Sequence, residues 1–332
     1  MLRFTKKGIY CPAGDFYIDP WRPVERAVIT HAHSDHARWG SKKYLAHHSS
    51  APIMRLRLGQ TISLQTMDYG ETKSVNGVKI SFYPAGHIIG SSQVRIEKDG
   101  EVWVASGDYK IQNDNVCTPF EPVKCHTFIT ESTFGLPVYK WQPQATVFQD
   151  INDWWKKNQA AGKVSVLCGY SLGKAQRLLK NIDSSLGKIY AHGAIWNVHA
   201  AFEQAGVELP KIIRVTKEQT KKDYENALVI APPSVGGTPW LKRFGKISIS
   251  VASGWMQVRG QARRRNVDRG FVLSDHADWD GLLKAIKATE AEKVFVTHGY
   301  TSIFSRYLNE IGIDSEEVKT EFGNEEVENP AT

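Results

Sequence analysis

The stretch Ala27-Val28-Ile29-Thr30-His31-Ala32-His33-Ser34-Asp35-His36 decides how this chain is read. An apolar, β-branched run of strand length stops abruptly, and four ionisable groups follow within six residues. His31 and His33 stand two apart, so in an extended segment both imidazoles project to the same side. Asp35 and His36 come where the chain turns toward a helix, and offer a second pair aimed elsewhere. Imidazole nitrogen suits zinc, and a carboxylate can bridge two cations. Burying such a cluster behind a strand without a cation to neutralise it would be costly.

The same pattern recurs along the chain. Val78 to Tyr83 leads to Gly86-His87, Val102 to Ala105 leads to Gly107-Asp108, and Phe128 to Thr130 leads to Glu131-Ser132-Thr133. Later, Phe271 to Leu273 meets Ser274-Asp275-His276, and Val294 to Thr297 meets His298. Runs of that length and composition predict buried strands, and side chains carried past several strand ends converge at a sheet edge. His47, His48, His126, His192 and His199 lack this context and are expected to be structural.

Between Glu131 and Ser274 the texture changes. Gln144 to Ala161 and Gly173 to Asn181 predict helices. Val164 to Cys168, Lys211 to Val215, Ala227 to Ile230 and Ile247 to Val251 predict strands. This alternation predicts a small α/β unit inserted at residues 137–245, with residues 1–136 and 246–332 forming the main domain.

The composition is that of a globular protein, with 41% hydrophobic and 23% charged residues. No apolar run approaches the ~20 residues that span a bilayer, and Met1 to Lys7 lacks the apolar stretch of a signal peptide. The cysteines, Cys11, Cys117, Cys125 and Cys168, form no CxxC pair and read as idle thiols in a reducing compartment, so a cytoplasmic protein with no membrane partner is expected. A net charge of +7 favours acidic partners such as nucleic acid, and ten tryptophans are available as stacking surfaces or core. Arg259, Arg263, Arg264, Arg265 and Arg269 make either a solvated loop or a set of phosphate contacts before the strand that delivers His276. Lys174 and Arg177, beside a glycine-preceded helix start, are further phosphate candidates.

The His31-Ala32-His33-Ser34-Asp35-His36 motif, with His87, Asp108 and His298, resembles the metal-binding motifs of the metallo-β-lactamase superfamily. Glu131 in Thr130-Glu131-Ser132-Thr133, His276 in Ser274-Asp275-His276-Ala277-Asp278 and His298 further resemble the acidic and histidine motifs of its nucleic-acid-processing β-CASP branch. Gly169 to Arg177 looks like that branch's insert, and Ser253-Gly254-Trp255 with Asp278-Trp279 is similar to bacterial DNA-ligase-associated exonucleases. The likeness covers nearly the whole chain, although the insert is short for a β-CASP cap.

The resemblance implies an αββα sandwich with an inserted cap, and two zinc ions, with manganese as the alternative. His31, His33 and His87 would hold one ion, Asp35, His36 and His298 the other, and Asp108 would bridge. Asp19 would orient a ligand from behind, with Asp15 as its rival. His276 would protonate the leaving group and Glu131 would orient it. The implied activity is a DNA exonuclease working from single-stranded 5′ ends in DNA repair, associated with a DNA ligase. A histidine at position 298 favours an RNA nuclease of the same branch instead. A thioester or lactam hydrolase and a scaffold with a decayed site are the rivals outside it; the inserted unit opposes the first and the full ligand set the second.

Overall fold

The structure, a computed structural model, describes residues 1–258 and 267–318. The chain divides into two compact units, one of Met1–Asn113, Cys117–Tyr139 and the segment from His276, the other of Asp114–Val116 and Lys140–Asp275. Arg259, Arg263, Arg264 and Arg265 lie outside the described residues.

The first unit is built on two sheets. One has the order β1 (Arg3–Thr5), β2 (Gly8–Cys11), β3 (Phe16–Ile18), β4 (Arg26–Val28), β5 (Lys43–His47), β6 (Leu64–Met67). The other contains β7 (Thr72–Val75), β8 (Val78–Pro84), β9 (Ser92–Lys98), β10 (Glu101–Ala105), β11 (Thr127–Ser132), β18 (Lys293–Gly299) and β19 (Asp314–Glu317), in the order β19-β18-β11-β10-β9-β8-β7.

The period-2 alternation of strand side chains divides the second sheet between two cores. Ala105 and Ile129 face Val28 and Leu45 of the first sheet, together with Ile80, Phe82, Val94 and Ile96. Their chain neighbours Val104 and Phe128 face the other way, with Val294 and Val296. There they meet Leu282, Ala285 and Ile286 of one helix (Trp279–Thr289) and Phe304 and Leu308 of another (Thr301–Glu310). The expected α/β class is present, with two facing sheets and helices on the second of them, and α1 (Ala51–Leu58) buries Ile53, Met54 and Leu58. β11 is buried at every position because parallel neighbours flank it and both of its faces are covered.

The second unit is a single parallel sheet, in the order β14 (Ile213–Arg214), β13 (Ile189–Ala191), β15 (Leu228–Ala231), β12 (Val164–Cys168), β16 (Ile247–Ala252), β17 (Arg269–Phe271). Its apolar cluster joins residues of α2 (Gln144–Ala160), α3 (Lys174–Asn181) and α4 (Gly193–Gln204) to the sheet. The predicted helices and strands are present, but the strand expected from Lys211 to Val215 shrinks to two exposed residues at the sheet edge, where it has one neighbour only.

The unit also runs past the expected limit of 245. β16 pairs with β12, and β17 with β16, so hydrogen bonding keeps both strands in this unit until Asp275. A run of apolar residues reports that a strand forms but not which sheet it joins. Among the described residues no helix is long and apolar enough to cross a membrane.

The helix Trp279–Thr289, named α5 below, opens on Asp278, whose Oδ1 accepts the Gly281 N–H at 2.8 Å. That bond satisfies one of the orphan donors at the helix start. Asp278→Ala should therefore lower the unfolding free energy by about 1 kcal/mol, seen as a fall in the urea midpoint with an unchanged slope.

A candidate metal centre

Strand direction explains the convergence. β9 is antiparallel to both β8 and β10, so β8 and β10 run the same way. β11 is parallel to β10, and β18 to β11. The C-terminal ends of all four strands therefore lie at one edge of the second sheet; His87 and Asp108 come just past β8 and β10, and Glu131 and His298 are the next-to-last residues of β11 and β18. β4 of the first sheet delivers the His31 to His36 segment. His276 follows β17 of the other unit in sequence but belongs to the first unit, so the six strand ends serve three different sheets.

Close backbone approach makes the meeting tight. Gly107 has φ +56, and a Cβ on it would stand 2.6 Å from the Thr30 side chain. Gly86 has φ +74, and a Cβ there would stand 2.5 Å from the Lys110 carbonyl oxygen. Side chains are excluded at both positions on space and on conformation.

His33 Nδ1 lies 3.1 Å from His31 Nε2 and 3.0 Å from His87 Nε2. A proton on His33 Nδ1 serves one of these nitrogens well, whereas a cation serves all three. Asp108 is 6% exposed, and its Oδ2 lies 3.4 Å from His31 Nε2, 3.6 Å from His87 Nε2 and 3.4 Å from His36 Nε2. The Asp35 carboxylate stands 3.5 Å from the same His36 nitrogen. Asp108 thus belongs to three groups whose ligand atoms fall within 4.8 Å of one another: His31, His33 and His87; Asp35 and His36; and Glu131 with His276. His298 joins none of these groups, and its ring stacks on His36 at 5.4 Å between centroids.

His36 Nε2 is buried without a hydrogen-bond partner. Its other nitrogen, Nδ1, lies 2.7 Å from Asp19 Oδ2. The carboxylate accepts the Nδ1–H, so Nε2, which faces Asp35 and Asp108, is the nitrogen available to a metal once a cation displaces its proton. Asp19 in turn accepts the Thr30 N–H at 2.8 Å and holds φ +44. Asp15 instead pairs with Arg26 at 3.3 Å and bonds Tyr10, out in solvent. The carboxylate that meets His36 is therefore Asp19 and not Asp15.

Burial pushes the His31 imidazole well below its usual range, and neighbouring His36 adds to the shift. Burial acts on His36 in the same sense, but Asp108, Asp35 and Asp19 outweigh it and hold this ring well above its usual value. Burial would raise the Asp108 carboxyl, yet His36 keeps it well below the carboxylate range. In the absence of a cation the centre thus keeps one proton at His36, between carboxylates. These donors suit a divalent cation of the borderline class.

Glu131, 1% exposed, accepts the Tyr109 N–H at 2.8 Å through Oε1 and sits 2.9 Å from His276 Nδ1 through Oε2. This leaves His276 Nε2 on the side of the ring away from Glu131, and the ring lies 4.6 Å from that of His87.

Two residues here had no assigned role in the sequence reading. Thr30 meets both Asp19 and His31 through its hydroxyl, and its place at the strand end, directly before the motif, was the available signal. Lys110 is 1% exposed and donates to the Gly86 and His87 carbonyls. A lysine two residues after Asp108, inside a buried run, was the hint.

Lys174 and Arg177 require a correction, because each is 1% exposed. Lys174 Nζ lies 3.6 Å from Asp275 and Arg177 Nη1 3.1 Å from it, while Arg177 also donates to Gln144 Oε1 at 2.9 Å. Both cations are committed to a buried carboxylate within the second unit, where a phosphate would have to displace it. Arg269 pairs with Asp150 at 3.2 Å. Of the histidines expected to be structural, His47 and His192 cap helix starts, and His126 accepts the Val102 N–H.

Replacing the anchor of a metal-ligating histidine typically costs 10–100-fold in metal affinity. Asp19→Ala should show a loss in that range in a chelator-competition titration, and Asp15→Ala should not. Equal effects of the two variants would contradict the anchoring geometry.

No family model matches this chain. A protein of *Opitutus terrae* named "Probable DNA ligase" is 30% identical over 311 residues, which is 93% of this chain and 30% of that protein. The RNase J-like protein of *Methanocaldococcus jannaschii* is 24% identical over 214 residues, 54% of this chain and 50% of its own. Endoribonuclease YSH1 of *Saccharomyces cerevisiae* is 28% identical over 149 residues, 44% and 18% respectively. The chain thus spans half or less of the length of these relatives. A crystal structure of a protein of unknown function from *Enterococcus faecalis* V583 shares the fold, with TM-score 0.61 and 13% identity over 90% of this chain and 80% of that one. The histidine and aspartate motifs, the layered sheets that bring them together and these relatives agree: the chain belongs to the metallo-β-lactamase superfamily, in its β-CASP branch.

Proposed function

We propose that this protein is a dinuclear-metal phosphodiesterase that digests single-stranded DNA from the 5′ end, in repair reactions that a DNA ligase completes. The observation that carries the phosphodiesterase reading is the Asp108 carboxylate, shared by two ligand groups and by the Glu131–His276 pair. His31, His33 and His87 would hold one ion, and Asp35, His36 and His298 the other, with Asp108 between them. Two zinc ions, or manganese, would supply Lewis acidity, an activated water and charge to clamp the phosphodiester oxygens.

The chain's own residues do the rest. Asp19 keeps His36 in its ligating tautomer. Glu131 holds the His276 Nδ1–H, so that Nε2 is the nitrogen left to deliver a proton to the departing sugar oxygen. DNA is favoured by the match to a relative named for DNA ligation across 93% of this chain. RNA is the second reading, favoured by the relatives named RNase J-like and endoribonuclease. End-labelled DNA and RNA of one sequence, with and without a 5′-phosphate, decide between them. Shortening of DNA from its 5′ end is expected, and a strong preference for RNA or rapid cutting of closed circles would overturn the DNA exonuclease reading.

His276→Ala should keep its metal and slow oligonucleotide cleavage by roughly 10²–10⁴-fold. The defect should shrink on a p-nitrophenyl phosphodiester, whose leaving group needs no proton. Metal loss in that variant, or an equal defect on both substrates, would show that His276 is not the acid.

A further inference from the structure

The chain of the metal motif continues directly into a turn that exposes an indole. Trp39 is three residues beyond His36 and 74% exposed, the most exposed large hydrophobic side chain among the described residues. Single exposed apolar side chains are ordinary on protein surfaces. What distinguishes Trp39 is the fixed backbone beneath it.

The buried Tyr44 hydroxyl accepts the Ser41 N–H at 2.9 Å and donates to the Arg38 carbonyl at 2.7 Å, bracketing Trp39 and Gly40 from both sides. Ala37 N–H is tied to the His33 carbonyl at 2.8 Å, and Lys42 N–H to that of Val24 at 3.0 Å. Gly40, at φ +103, lies so close to Pro23 that a Cβ would stand 2.9 Å from its ring. From His33 to Lys42 the main chain is held at both ends and in the middle, yet the indole projects into water.

The adjoining chain is basic: Arg38 precedes Trp39, Lys42 and Lys43 follow it, and Arg22 precedes the Pro23 that Gly40 meets. Arg22 and Lys43 are exposed, Arg38 is half-buried, and Lys42 is exposed while pairing with Glu25 at 2.8 Å. Three residues span at most about 11 Å, so the indole stands within reach of a chain whose phosphate sits at the metal centre. A preorganised aromatic face beside cations is what single-stranded nucleic acid uses, because every base has a π face and every phosphate a charge.

We propose that Trp39 is the platform on which a nucleobase of the single-stranded substrate stacks beside the scissile phosphate. This rests on the nuclease reading and adds to it a binding subsite for the base. Stacking of this kind tolerates any sequence, so the subsite would hold the strand without selecting bases.

The test compares wild type with Trp39→Ala, Trp39→Phe and Trp39→Leu on a single-stranded oligonucleotide, on the same strand with abasic sites at the cleaved end, and on bis(p-nitrophenyl) phosphate. Trp39→Ala should raise KM for the intact strand roughly tenfold with kcat little changed. Trp39→Phe should restore most of the loss, and Trp39→Leu, apolar but without a π face, should not. Abasic sites should cost wild type about the same factor and cost Trp39→Ala little more. An unchanged KM, equal restoration by leucine, or the same loss on bis(p-nitrophenyl) phosphate would overturn the platform. So would wild-type binding in a Trp39→Ala variant that sediments as a smaller species, which would assign the indole to a protein contact. Wild-type protein that neither binds nor cuts any oligonucleotide would overturn the nuclease reading along with it, whereas cutting that ignores residue 39 removes the platform alone.

Discussion

The first unit is organised around a single electrostatic constraint, the Asp108 carboxylate held out of solvent between His31, His36 and His87. A buried carboxylate is costly unless charge or hydrogen bonds compensate for it. Here three imidazoles face it, two of them on one side with His33 and the third beside Asp35. Such a group has too many acceptors and too few protons for a hydrogen-bonded network, and it matches the donor set of divalent cations. The arrangement of both sheets follows from delivering these side chains to one place.

Positions around that carboxylate accept local strain or crowding that an ordinary core would avoid. Asp19 and His298 hold left-handed backbone conformations, with φ of 44° and 53°. Gly86 and Gly107 occupy turns where a methyl group would strike the neighbouring chain. Non-glycine residues in this region persist only where their surroundings over-determine them. Asp19 is bound to Thr30 and His36, and the His298 carbonyl accepts the Ser132 hydroxyl, which supplies that determination. Lys110, buried against the Gly86 and His87 carbonyls, fixes the third approach. The turn beyond His36 is built in the same way, with Tyr44 holding the main chain on either side of Trp39.

The second unit shows charge used for a different end. Lys174 and Arg177 meet Asp275 out of solvent, one residue before the chain enters the first unit at His276. Removing one partner of a buried ion pair leaves an uncompensated charge, so such pairs set a unique arrangement more than they add stability. The segment that ends in His276 therefore starts from a fixed point. The basic residues of this unit that sequence offered as phosphate contacts are, at these two positions, internal.

Much of this protein is written locally. Short β-branched runs ending in His, Asp or Glu specified the strands and the ionisable groups after them, because a strand's period and an imidazole's preference for a cation are properties of neighbouring residues. Four matters needed the tertiary structure. Ile247 to Val251 and Phe271 to Leu273 were the runs expected as strands, but only hydrogen-bonded pairing placed the strands that form there, Ile247–Ala252 and Arg269–Phe271, in the third sheet. Asp15 and Asp19 are equivalent by chemistry and position, and only the 2.7 Å approach of Asp19 to His36 separated them. Lys174 and Arg177 carry the same charge whether they face solvent or Asp275, and burial chose. Trp39 was one of ten tryptophans until folding left it outside. Composition and spacing set what a residue is able to do, whereas partner and exposure depend on segments far away in the chain, whose approach is settled only when the cores pack.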